Sequence, residues 1–261
     1  MGKRVDEGLE DLRGRAEAAF DAGADDAAAL LRRLTELQPD DAAVWRDLGL
    51  ALVNDGDLLA ADRALRESLR LGGADPTTQV ALAHVVFAKG DVDEAVTVLT
   101  GAATQSDDVA PLRSLVEMCR VAGRPRAALD AAEKIAAQQP DDVLTMIDLA
   151  DLYLDLGEFD AALDAFRRLR DLDAEPGDAV YAYHGMIEVE IRRDRWRRAL
   201  DLAISASALD RHQLTTDVLA FVTAQLFGDA DRPAPPREEI ERRMVERRAQ
   251  HRQVHVEALQ G

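Results

Sequence analysis

The chain has 261 residues, 47% of them apolar and 31% charged, with a formal net charge of −18. That balance can bury a large core and excludes a disordered chain, and so negative a surface repels phosphates and disfavours nucleic acid. No apolar run reaches the about 20 residues that span a bilayer. The charged start from Met1 to Glu7 is no secretory signal, Asp6 stands where a myristoylation signal needs Ser or Thr, and the lone Cys119 has no internal disulfide partner, so a reducing cytoplasm without membrane attachment is the expected setting.

Turn residues set the frame of the chain. Gly23, Gly56, Gly90, Gly123 and Gly157 are spaced 33, 34, 33 and 34 residues apart, each between two stretches of helical periodicity. Pro39, Pro76, Pro140 and Pro176 punctuate the second helices, and Pro125 suits a first turn. The opening unit, 5–39, carries Val5, Leu9, Leu12, Ala16 and Phe20 on one face, then Ala27 and Leu31. Unit 42–75 reads Trp45-x-x-Leu48-Gly49-x-x-Leu52, then Ala61-x-x-x-Leu65. Unit 77–108 keeps Leu82-Ala83 and Ala95-x-x-x-Leu99, although Gly101 interrupts its second helix at about 1 kcal/mol. Unit 109–140 keeps Leu115, Ala128 and Pro140, with Val116 at the small position and Cys119 as a core residue.

Unit 142–176 is the most apolar. Its first helix carries Val143, Leu144, Met146, Ile147, Leu149, Ala150, Leu152, Tyr153 and Leu154, and leaves one acidic line, Asp148, Asp151 and Asp155, expected to stay open. Phe159, Ala162, Leu163, Phe166 and Leu169 form the face of its second helix. Unit 178–210 follows an insertion from Ala174 to Asp178 and has Asp194 where the turn glycine belongs. A half-unit, 212–228, ends the array at 1–228 as a capping helix with Leu214, Val218, Phe221 and Val222. Pro233, Pro235 and Pro236 break the chain at 229–236, and 237–261 forms a charged final helix with six Arg against five Glu. Its short apolar patch, Ile240, Met244 and Val245, suggests loose packing or a projecting arm, so truncation after Gly228 should leave the array folded.

The unit from Trp45, together with Leu149-Ala150-x-x-Tyr153 and Ala162-x-x-x-Phe166, resembles the tetratricopeptide repeat over about residues 5–210. The resemblance implies an all-α, right-handed solenoid of antiparallel helix pairs. The small Gly49, Ala83 and Ala150, and Ala61, Ala95, Ala128, Ala162 and Ala199 on the second helices, then let paired helices approach closely. It also implies that first helices line a concave, partner-binding surface. By register the lining includes Arg46 and Leu50; His84 and Phe87; Arg113, Glu117 and Arg120; Asp148, Asp151 and Asp155; and Tyr181, His184 and Glu188. Family members with a carboxylate clamp hold chaperone tails with Lys and Asn; Arg46 and Leu50 stand at those places, so that clamp is not supported.

No phosphate loop, nucleophile elbow, zincin motif or Cys pair is present, so no enzyme and no cofactor are expected. His251 and His255 have metal-ligand spacing on one helix, but Arg252 follows where a catalytic Glu would stand and no third ligand is evident. A solvated helix face is the preferred reading, with no metal. Three helical carboxylates alone do not complete a calcium shell either. The acidic line has two readings: pairing with Arg113 and Arg120, or an excess of carboxylate that receives a basic segment of a partner. A second patch, Arg192, Arg193, Arg195, Arg197 and Arg198 around Trp196, could hold an acidic partner or nucleic acid, though solvated Arg beside a packed Trp is preferred. The expected function is a cytoplasmic, non-catalytic scaffold (adaptor, co-chaperone or assembly factor) for a peptide or helix. The alternative is a subunit that self-associates through its capping region or last helix.

Overall fold

The computed structural model describes residues 2–172, 176–209, 213–227 and 235–258, with the backbone alone at residues 2–7, 176 and 258. Among them are fourteen α-helices and no strand, and no helix is long and apolar enough to cross a membrane. Two compact units divide the chain, residues 1–123 and 124–261. The first contains α1 (Gly2–Asp21), α2 (Ala27–Leu37), α3 (Ala42–Asn54), α4 (Leu58–Gly72), α5 (Pro76–Ala88), α6 (Val92–Gln105) and α7 (Ala110–Val121). The second contains α8 (Pro125–Gln138), α9 (Val143–Asp155), α10 (Phe159–Asp171), α11 (Pro176–Arg192), α12 (Trp196–Leu209), α13 (Gln213–Phe227) and α14 (Arg237–Ala258). Residues 173–175 and 228–234, which include the start of the inserted segment and most of the Pro-rich linker, lie outside the described residues, as do residues 210–212.

Local chemistry explains where helices start and stop. Asp41, Asp57, Asp75, Asp91 and Asp142 each accept a bond from a backbone N–H in the first turn of the helix that follows, so part of the acidic excess serves as N-caps. At the end of α9, Gly157 N–H donates to Leu154 O and Glu158 N–H to Tyr153 O, with Gly157 at φ +75°. These are the paired bonds of a Schellman ending, which favours a residue without Cβ. Asp194 occupies the equivalent place after α11 at φ +54°, with the same bonds to Ile191 O and Glu190 O. A short polar side chain is among the few that tolerate this conformation.

Within each unit, helices pack on their neighbours in sequence. Ala61, Ala95, Ala128, Ala162 and Ala199 have no exposed surface, as close helix pairs demand. Gly49 abuts Leu65, and Gly185 of α11 lies against the Phe166 ring of α10 so closely that an added Cβ would sit 2.2 Å from Cζ. Gly185 is a close-approach site that the repeat pattern did not single out. The array of the second unit does not end on α13. Ile240 and Met244 of α14 are buried in a core with Ile187, Ile191, Val218 and Phe221, and Arg243 Nη1 lies 2.6 Å from Asp217 Oδ2. The last helix is neither loose nor projecting, because its apolar pair completes the face that α13 leaves without a second helix.

Candidate functional site

Beyond Met244, the inner stripe of α14 turns polar: Arg248, His251, Arg252 and His255 continue the line of Ile240 and Met244 at helical spacing. That stripe lies across α11 and α9. Arg248 places Nη1 3.1 Å from Asp151 Oδ1, Nη2 3.3 Å from Asp155 Oδ1 and Nε 3.2 Å from Glu188 Oε2. Arg252 donates from Nε to Asp148 Oδ1 at 2.5 Å. Arg192 reaches the other oxygen of Glu188 at 2.6 Å and the Leu154 carbonyl at 3.2 Å. The Tyr181 hydroxyl donates to Asp151 at 2.5 Å.

This arrangement corrects the expectation of an open acidic line. Asp148 is 6% exposed, Asp151 1% and Glu188 0%; of the stripe, Asp155 alone keeps substantial exposure, 45% of its side chain. From the sequence, Arg113 and Arg120 are the candidate counter-charges of this line; the cations that the structure places on it are Arg248 and Arg252 of α14. Dehydrated carboxylates need fixed opposite charge. Arg supplies it best, because its planar fork can serve several acceptors at once. Burial pushes the Glu188 carboxyl above its usual range, although Arg248 and Arg192 draw it down. Burial would lower the Arg248 guanidinium, but Asp151, Glu188 and Asp155 more than offset this, so it stays charged. Burial, with the Asp151 charge added, raises the Tyr181 phenol well above its ordinary value, so it remains a donor.

The next turn of α14 brings two imidazoles onto one carboxylate. His251 Nε2 lies 2.6 Å and His255 Nε2 2.7 Å from Asp178 Oδ1, and Asp178 is 2% exposed. His251 stacks on Tyr181 with centroids 4.5 Å apart and also meets the His255 ring at 5.0 Å. Burial lowers the His251 imidazole below its ordinary value, against the pull of Asp178. The solvated-face reading of this pair is therefore corrected, and the third group beside it is Asp178, in the first turn of α11. Sequence spacing could have found α14's inner stripe, but nothing local in it points to an acid 73 or 77 residues earlier.

The remaining residues named from register are distributed more widely. His184 of α11 is buried, with Nε2 3.0 Å from Thr215 Oγ1. In the first unit, Arg46 pairs with its neighbour Asp47 at 2.9 Å, Leu50 and Phe87 are half-buried, and His84 Nε2 lies 3.3 Å from Ser114 Oγ. Arg113, Glu117 and Arg120 belong to α7 of that unit. The Arg patch is largely engaged. Arg193 meets Asp160 at 2.8 Å and covers the Phe159 ring, and Arg195 and Arg198 approach buried Glu190 at 3.9 and 4.0 Å. Trp196 is half-buried edge-on against Phe221 with Arg237 over its ring, and Arg197 is exposed.

The description "Tetratricopeptide repeat" fits residues 13–76 and 47–111 by one family model and 122–183 by another. Among solved structures, the chain is similar to YrrB, described as a TPR protein with an unusual peptide-binding site, at TM-score 0.58 and 17% identity over 72% of this chain and 96% of that one. It is similar to the MamA protein at TM-score 0.55 and 18% identity, over 74% and 98% of the two chains. A MamA from Desulfovibrio magneticus RS-1 gives TM-score 0.53 and 20% identity, over 66% and 96%. At such identity these likenesses speak for the fold. No protein of curated function matches the chain.

Proposed function

The chain belongs to the tetratricopeptide repeat family and has its all-α solenoid fold, and from that premise we propose a non-catalytic protein–protein interaction scaffold of the cytoplasm. Its role is that of an adaptor, co-chaperone or assembly factor. It takes a basic helical segment of a partner on the carboxylates of α9 and α11. One observation carries this reading: the chain's own α14 already sits there through Arg248 and Arg252. A seat that holds one helix by its basic stripe has the acceptors and spacing to hold another such stripe, and its preformed acids need no ordering on binding. The peptide-binding site ascribed to YrrB supports the same class of work. Arg46, Leu50, His84, Phe87, Arg113, Glu117 and Arg120 remain candidates for a further contact surface in the first unit.

The test releases the resident helix. A full chain carrying Arg248→Ala and Arg252→Ala should bind a labelled peptide of residues 237–258 far more tightly than the unaltered chain, with affinity falling as salt rises. Adding Asp148→Asn and Asp151→Asn should abolish that binding. A folded Arg248→Ala, Arg252→Ala chain that ignores the peptide overturns the proposal. A second reading, self-association through the capping region or last helix, is favoured by exposed Phe227 on α13 and Val254 on α14. Light-scattering mass at two concentrations separates the two, because only self-association makes the mass rise with concentration.

A further inference from the structure

Three groups converge at the far end of the α14 seat in a way the charge pairing does not require. Two imidazoles from successive turns of α14 aim Nε2 at the same oxygen of Asp178, where one nitrogen on each oxygen would serve hydrogen bonding as well. The three ligand atoms lie within 4.8 Å of one another, and the carboxylate is buried while the rings keep 12% and 24% of their side-chain surface. We propose that Asp178, His251 and His255 form a divalent transition-metal site of the zinc class that staples α14 to α11.

The donor set selects the ion. Two imidazole nitrogens and one carboxylate oxygen suit Zn²⁺, with a fourth position for water, whereas Ca²⁺ and Mg²⁺ need more oxygen ligands than one carboxylate gives. Bonds of about 2.0–2.1 Å at a tetrahedral ion separate ligand atoms by roughly 3.3 Å. The present 2.6 and 2.7 Å are hydrogen-bond contacts, so small ring rotations open them to ligand spacing. His251 is held for this by its stack on Tyr181, whose hydroxyl is anchored on Asp151, so the supporting shell links the site to the Arg248 cluster. Arg247, whose charge acts on His251, opposes a cation; the buried Asp178 carboxylate opposes that repulsion. An ion here joins residues of two helices far apart in sequence, so its binding stabilises the seated form of α14 over the released one. The proposal concerns the ion alone and does not depend on the partner class.

The experiment uses the full chain stripped with a chelator and titrated with Co²⁺ and Zn²⁺. The expected result is one equivalent bound, the visible absorption of tetrahedral Co²⁺, and a melting temperature that rises with Zn²⁺. His255→Gln, at a half-buried position, should keep the helical spectrum yet weaken the metal at least roughly tenfold and remove the Zn²⁺-dependent rise. Asp178→Asn should do the same if it folds. His84→Gln, in the first unit, should leave Co²⁺ and Zn²⁺ binding unchanged. Binding that survives His251→Gln with His255→Gln, binding lost equally in His84→Gln, or no saturable binding at all would each overturn the site and leave plain His–Asp hydrogen bonding.

Discussion

Arg248 and Asp151 are separated by 97 residues, yet their side chains meet at 3.1 Å with 7% and 2% of their surfaces exposed. The pair ties the last helix to the middle of the second unit, in a place where neither charge can be left alone.

Arg248→Ala alone, with Arg252, Ile240 and Met244 still holding α14 in place, leaves Asp151 and Glu188 buried without their main counter-charge and should lower stability by about 3–5 kcal/mol in urea denaturation. Asp155→Asn, at a half-open position, should change it by no more than about 1 kcal/mol. Asp151→Asn should fall clearly between the two, since Tyr181 and Arg248 both lose an anionic acceptor. Equal melting curves for the three variants would show that burial of these carboxylates is not maintained.

A chain ending at residue 236 should melt at a lower temperature, unfold less cooperatively and bind an apolar dye. Removing Ile240 and Met244 uncovers Ile187, Val218 and Phe221, and removing Arg248 leaves the acids of α9 and α11 facing each other. An unchanged transition would mean that α14 contributes contact area without stability.

Gly185→Ala places a methyl group 2.2 Å from Phe166 Cζ and should destabilise by roughly 1–3 kcal/mol. Phe166→Leu in the same chain should recover part of the loss, because the obstructing ring is gone. Gly101→Ala meets nothing within 4 Å on α6 and should stabilise by about 0.5–1 kcal/mol. Thermal melts of the four chains decide both statements.

Asp41 gives a pH signature for the first unit. Its bond to Arg13 at 2.6 Å holds the carboxyl below its ordinary value, burial opposes this, and the Val44 and Ala43 amides lower it further. A depressed carboxyl stabilises the fold fully above the unfolded value, near 4, and loses that contribution as pH falls through the folded value. Melting temperature should therefore drop on acidification from about pH 5 to pH 3, and Arg13→Gln should shallow that drop while leaving the rest of the profile in shape. An Arg13→Gln curve parallel to the original would show that the pair does not report folding.

The repeat was legible in the sequence because its causes are local. Left-handed turns call for Gly157 and its fellows, caps call for Asp at helix starts, and helix pairs in close approach call for Ala61, Ala95, Ala128, Ala162 and Ala199. The all-α class follows from that periodicity, and the family from the consensus residues of the Trp45 and Leu149 units together with the family models that match. What fills the acidic line of α9 was not legible, because α14 carries nearly as many acids as bases and its apolar patch is short. Only the tertiary structure brings Arg248, Arg252, His251 and His255 against partners 60 to 104 residues away. Local propensity sets which helices form; the dehydration of Asp151, Glu188 and Asp178 sets where the last one must lie, and that is a property of the packed chain.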